Sequence, residues 1–170
     1  MLKLITFLLI GIATGLAAYF LNIQYSYADF KDYGYTLLTT SGMVFTIMGI
    51  WIAFIYPNAL MKLKAPQKIQ TADFSKSLQD TRRLEKIVGS IMASAGVAVG
   101  VSTIYFLKLV LYGLPYALEY RHLLKSGAMG FITFLSLVQV MAIFYVMYSN
   151  YLFIEDLHVK REDREADADF

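Results

Sequence analysis

The chain contains no cysteine, only three prolines and one tryptophan, and just 16% of its 170 residues are charged. Without cysteine there is no disulfide framework, no thiolate zinc site and no cysteine nucleophile. The shortage of charge sets the chain apart from ordinary soluble domains, in which about a quarter of residues are charged. A net charge of +2 is too small for a nucleic-acid-binding surface, so no direct nucleic-acid contact is expected. Histidine is scarce too, with only His122 and His158. They fall on opposite sides of the expected membrane topology and cannot form a pair. No Asp, Glu or His lies inside an apolar run, which argues against an intramembrane protease or a carboxylate proton relay. The expectation is a non-enzymatic protein with no metal and no cofactor.

What the chain has in quantity is apolar sequence, 58% of residues, with a mean hydropathy of +0.54. Four runs stand out, at about 4–21, 35–56, 87–110 and 124–153. A helix needs about 20 residues to cross a hydrocarbon layer of ~30 Å at ~1.5 Å per residue. The expected fold is therefore all-α, a four-helix transmembrane bundle. Its membrane domain, 1–154, includes a loop at 57–86 with a helical extension, and a charged tail occupies 155–170. The first run is longer than a signal-peptide core of ~7–15 residues and is followed at once by Tyr19 and Phe20, so it is expected to remain as a helix.

Basic residues set the expected orientation. Loop 57–86 holds Lys62, Lys64, Lys68, Lys76, Arg82, Arg83 and Lys86. Basic residues resist translocation, which keeps this loop in the cytoplasm. With four spans both termini are then cytoplasmic, joining Lys3, Lys160, Arg161 and Arg164 to that side. Lys31, Lys108, Arg121 and Lys125 remain outside. The expected location is a bacterial inner membrane.

Two segments carry possible docking chemistry. From Asp73, "DFSKSLQDTRRLEKIVG" places Phe74, Leu78, Thr81, Leu84 and Val88 near helical spacing, with Lys76, Arg82 and Arg83 among the charges between them. An amphipathic helix running into the third span is expected there, as a solvated extension or as a face for a partner or anionic lipid. After Ile154 the sequence turns acidic, with seven acids and three bases in "EDLHVKREDREADADF". Asp156–Lys160 and Arg161–Glu165 fall at i, i+4 and can prolong the fourth helix as a polar stalk. Phe170 is a candidate apolar anchor. A cytosolic protein, or the basic loop of a neighbouring subunit, is the expected partner.

Glycine and serine repeat within the spans. "SIMASAGVAVGVS" (90–102) contains a GxxxG, Gly96 and Gly100, with no strand before it and no phosphate-binding Lys after it. Gly11 and Gly15 form a second GxxxG, and Gly42, Thr46, Gly49 and Ala53 recur at packing intervals. Small residues let helix backbones approach where no hydrophobic effect drives them together. These faces can close within one chain or between chains, and a homo-oligomer in the lipid bilayer is expected. Ser90, Ser94, Ala98 and Ser102 recur every fourth residue and are read as one face, a possible polar path. Gln139, with Ser136 and Thr133 one and two turns before it, is the strongest polar group at mid-span. It is read as interhelical glue, with pore lining or ligand sensing as the other reading.

The stretch "SGMVFTIMGIWIAFIYPNALMKLK" (41–64) resembles the second helix of small bacterial inner-membrane proteins of phage-defence loci. The plan of four spans, cytoplasmic termini and a charged tail is similar to the membrane subunit of the Kiwa antiphage system. That resemblance implies an oligomeric membrane component that detects phage perturbation of the envelope and works with a cytosolic DNA-binding partner. It lies in architecture, and no functional residue is carried over from it. Four-span effectors that disrupt membranes share the same outline. The expectation is a membrane sensor or scaffold coupled to a cytosolic partner, with a pore-forming effector as the alternative.

Overall fold

The computed structural model describes residues 2–64, 74–112 and 120–168, with side chains at 3–50, 52, 85–111, 120–152, 154, 155, 158 and 161. These residues form four helices and no strand: α1 Leu2–Phe20, α2 Tyr27–Lys64, α3 Phe74–Tyr112 and α4 Arg121–Ala168.

The α1–α2 connection is shorter than the expected 22–34. α1 ends in a left-handed residue, Asn22, with φ 52°. Ile23 N donates to the Ala18 carbonyl at 3.1 Å and Asn22 N to that of Tyr19 at 3.4 Å. This paired closure satisfies two carbonyls that the helix end leaves open. Ser26 then caps α2, its Oγ accepting from Ala28 N at 3.2 Å. A cap at Ser26 starts α2 eight residues before the apolar run does. At the other end α2 continues through Pro57 to Lys64, past the expected boundary. Proline removes one backbone hydrogen bond but does not forbid continuation in a helix of this kind.

α3 begins at Phe74 and runs unbroken into its apolar stretch, which is the join expected of the amphipathic segment. α4 continues from Arg121 to Ala168, so the acidic tail prolongs the helix. Three helices contain stretches long and apolar enough to cross a membrane: Lys3–Phe20, Glu85–Leu111 and Arg121–Leu152. The expected span at 35–56 reaches beyond the described side chains. Leu8, Leu9, Ile12, Met92, Phe106 and Phe144 are among many large apolar side chains left exposed, which matches contact with lipid.

Neighbouring helices run antiparallel. Gly11 meets Gly130 while Gly15 meets Ser126, and Lys86 faces Tyr148 while Gly100 meets Leu135. α2 runs parallel to α4, with Tyr25 bonded to Lys125 and Ser41 to Gln139. α4 is thus the central helix: α2 and α3 pack with it as a three-helix core, and α1 lies against its other side. The start of α1 and the distal part of α4 share one end of the bundle, where Lys3 Nζ sits 5.9 Å from the Tyr145 ring centroid.

Inward residues alternate three and four apart: Leu37, Ser41, Val44 and Met48 on α2, and Ile87, Ser90, Ser94, Val97 and Val101 on α3. That rhythm is the seam of helices packed at a shallow angle. Two apolar clusters result. Val97, Val101, Ile132, Leu135 and Val138 join Leu37 towards one end, and Val44, Met48, Ile87 and Val146 meet towards the other.

Candidate functional site: a buried polar cluster across three helices

Between the two apolar clusters lie Ser41, Ser94 and Gln139, one from each helix of the three-helix core, all essentially enclosed. Ser41 Oγ donates to Gln139 Oε1 at 2.9 Å. Interhelical bonds of this type are worth roughly 0.6–2 kcal/mol in a membrane. The cluster is incompletely satisfied, since Gln139 Nε2 and Ser94 Oγ are both buried without a partner among the described residues. A buried polar group left unpaired costs about 1–3 kcal/mol. Ser90, one turn from Ser94, donates to the Ile87 carbonyl of its own helix at 2.8 Å.

The serine row of α3 does not stay on one face. Four residues advance a helix by ~40° beyond a full turn, so a row of period four winds slowly around it. Ser90 and Ser94 are buried, Ala98 is half-buried, and Ser102 faces outward. The row expected to form one polar path is therefore divided. Its inner half belongs to the core with Gln139. Its outer half, with Val99, Thr103 and Phe106, lines a shallow open depression of about 370 Å³.

The glycines divide in the same way. A Cβ on Gly11 would lie 2.8 Å from the Gly130 carbonyl oxygen, and one on Gly15 would lie 3.2 Å from that of Ser126. α1 and α4 therefore meet backbone to backbone. The α4 half of this contact, Ser126–Gly130, is itself a small-xxx-small pair, one that the expected packing faces do not include. Gly100 abuts the Leu135 side chain, whereas an added Cβ at Gly42, Gly49 or Gly96 would have no atom within 4 Å among the described residues. The seam set by Val44, Met48, Val97 and Val101 turns those three glycines away from the chain's own core. Ala53 lies outside the described side chains.

Lysine–tyrosine pairs mark both ends of the bundle. Lys3 lies over Tyr145 and Lys86 over Tyr148, at 5.9 and 5.6 Å from the ring centroids. At the opposite end Lys125 lies 5.4 Å from the Tyr25 centroid, and Lys108 sits over Tyr27. Lys86 and Lys108 are separated by about 33 Å of α3 at ~1.5 Å per residue, close to the ~30 Å of a hydrocarbon layer. Each lysine sets its charge by an aromatic ring near an end of the bundle.

The end with Lys125 has further ties. Tyr25 Oη donates to the Lys125 carbonyl at 2.8 Å, and the Tyr25 ring stacks on Phe30. Burial raises the Tyr25 hydroxyl above its ordinary value, which keeps it protonated and donating. Tyr105 Oη donates to the Lys31 carbonyl at 2.9 Å and lies against Gly34, where a Cβ would collide with it. Tyr33 Oη bonds Ser136 Oγ at 2.8 Å, and Ser136 donates onward to the Ile132 carbonyl.

Among the described residues no group of His, Cys, Asp and Glu is placed to hold a metal. Of the candidate docking residues, Arg161 is exposed on α4. The side chains of Lys76, Arg82, Arg83 and Asp156, and the whole of Phe170, lie outside the described residues. The chain matches no family model, and comparison with curated proteins and with solved structures finds no match.

Proposed function

We propose that this chain is a non-enzymatic, four-span inner-membrane scaffold or sensor that forms homo-oligomers and recruits a cytosolic protein. The observation that carries the reading is the length of α4. At ~1.5 Å per residue its 48 residues extend about 72 Å, more than twice a ~30 Å hydrocarbon layer. Its apolar stretch ends at Leu152, and the acidic segment follows as helix to Ala168. α3 likewise starts at Phe74, ahead of its apolar stretch at Glu85, from the same end of the bundle. Two helical extensions of opposite net charge, projecting from the same end, would make a docking platform.

The Lys and Arg of 57–86 support a cytoplasmic placement of that end. The outward glycines Gly42, Gly49 and Gly96 supply faces for a second copy. Surveillance of the envelope in antiphage defence is the setting we propose, on the architectural resemblance alone. The reading is tested by truncating the full chain after Ile154. Membrane insertion is expected to survive and co-purification of the cytosolic partner to be lost. Co-purification that persists refutes the stalk as the docking element.

A second reading, a pore between subunits, is favoured by Ser102 and Thr103 lining an outward depression on α3. It requires dye or ion flux through liposomes containing the pure protein, reduced by Ala98→Leu. Tight liposomes remove it.

A further inference from the structure

Ser94 and Gln139 each bury a polar atom with no partner among the described residues, and the two are complementary in kind. Gln139 Nε2 carries two hydrogens and lacks an acceptor, while Ser94 Oγ has lone pairs to offer. Hydroxyls elsewhere in the bundle show the usual solution: Thr46, Thr103, Thr133 and Ser136 each donate to a carbonyl one turn back in their own helix. Ser94 makes no such bond, so its hydroxyl is available to another helix.

The register supplies the candidate. Gly100 stands against Leu135 and Lys86 against Tyr148, so Gln139 comes level with residues 95–96 of α3. Ser94 is then within about 1.5–3 Å of that level along the axis. Both residues occupy the inward seam, and Val97 and Leu135 close over them towards one end as Ile87 and Val146 do towards the other.

We infer that Gln139 is a clasp for two helices: its carboxamide oxygen holds Ser41 of α2, and its amide nitrogen closes on Ser94 of α3. Closure takes a slide of α3 by about one or two residue rises, or a torsion change in the Gln139 side chain. It satisfies both orphaned atoms with one bond and leaves the Ser41 bond intact. The energetic drive is the cost of two polar atoms left unpaired in an apolar interior. α3 is continuous from Phe74 to Tyr112, so the seat of Ser94 also sets the position of the helix ahead of Glu85. The clasp stands on the buried geometry alone. Only its consequence for 74–84 rests on the docking reading above.

The test uses the full chain in lipid nanodiscs, labelled with ¹⁵N-glutamine. Gln24, Gln67, Gln70 and Gln79 are the only other glutamines, and Gln139→Leu identifies the Gln139 amide resonances. The clasp predicts that Ser94→Ala moves those resonances and lowers the Tm by about 2–4 °C, as Ser41→Ala also does. Unmoved resonances, with an unchanged or raised Tm, overturn it, because deleting an orphaned hydroxyl is otherwise neutral or favourable. The amide resonances decide if the two readouts disagree. If the alanine variant fails to fold, Ser94→Cys, similar in size but a poor acceptor, gives the same reading.

Discussion

Gly130→Ala isolates the contact that holds α1. A Cβ at residue 130 would lie 2.6 Å from the Gly11 carbonyl oxygen and 3.1 Å from the Gly15 Cα. Both are backbone atoms, so no side-chain rotation relieves the overlap. Reaching the 3.4 Å of ordinary contact moves α1 outward by roughly 0.8 Å along its closest approach. Forced overpacking of this kind costs about 1–3 kcal/mol. Alanine also favours helix by up to ~1 kcal/mol over glycine, which partly masks the clash. Gly42→Ala is the control, because a Cβ there has nothing within 4 Å among the described residues and gains only the propensity. The difference between the two variants therefore measures the overlap alone, at about 1–3 kcal/mol, or several degrees of Tm at ~2–4 °C per kcal/mol. Thermal unfolding in one detergent gives this difference. A second assay reports on α1 directly. Tyr19 and His122 have ring centroids 5.0 Å apart across the α1–α4 contact. In a chain with no cysteine of its own, Tyr19→Cys with His122→Cys gives a crosslink whose yield is expected to fall on adding Gly130→Ala. Equal Tm shifts for the two alanine variants, with an unchanged crosslink yield, refute backbone-to-backbone packing of α1.

Three further outcomes follow from the end opposite the stalk and from the outward glycines. Gly34→Ala displaces the Tyr105 hydroxyl and loses its bond to the Lys31 carbonyl, a cost of about 1–2 kcal/mol read as a lower Tm, which Tyr105→Phe is expected to recover in part. Tyr25 has a pKa raised by burial, so its folded-state value exceeds the unfolded 10.0. Its contribution to stability is then fully present below pH 10 and is lost as pH rises through the folded value; Tm measured across pH 8–11 is expected to fall less steeply in Tyr25→Phe. The same variant loses the 2.8 Å bond to Lys125, worth about 0.5–1.5 kcal/mol at neutral pH, and an unchanged neutral-pH Tm contradicts that bond. Gly49→Leu is expected to raise the monomer's Tm slightly through helix propensity, since a Cβ there has no described atom within 4 Å, and to shift the oligomer to smaller species in crosslinking or mass photometry if a second copy packs there.

The long apolar runs make the helices legible in the sequence, because ~20 consecutive apolar residues have few other uses. The helix starts are less legible. Ser26 caps α2 and Asn22 closes α1 through local hydrogen bonds that hydropathy does not register, so the connection expected at 22–34 is only a few residues long. Residue type and depth mark Gln139 as interhelical glue, and the structure gives it one bond, to Ser41. That partner is out of reach of the sequence, because pairing residues 41 and 139 depends on how non-neighbouring helices stack. The serine row divides for a geometric reason: spacing by four looks like a face over two turns and winds away from it over three. The seam that fixes the inward direction alternates three and four, and Ile87, Ser90, Ser94, Val97 and Val101 follow it.

Two classes of small residue separate on this basis. Gly11, Gly15 and Gly130 are required by the chain itself, since a methyl group at any of them meets backbone of another helix. Gly42, Gly49, Gly89, Gly96 and Gly127 meet nothing among the described residues, yet each carries the ~1 kcal/mol penalty of glycine in a helix. A bilayer does not offset that penalty, because lipid tails pack as readily against alanine as against glycine. The residues that explain the fold are therefore not the ones left to explain. Four of these five glycines lie on α2 and α3, the two helices that Gln139 stands between, and Gly127 lies on α4 itself. Any second copy seated on those faces would bear on the helices whose spacing the Ser41–Gln139–Ser94 cluster controls, so assembly and clasp would be coupled through α2 and α3 rather than through α1.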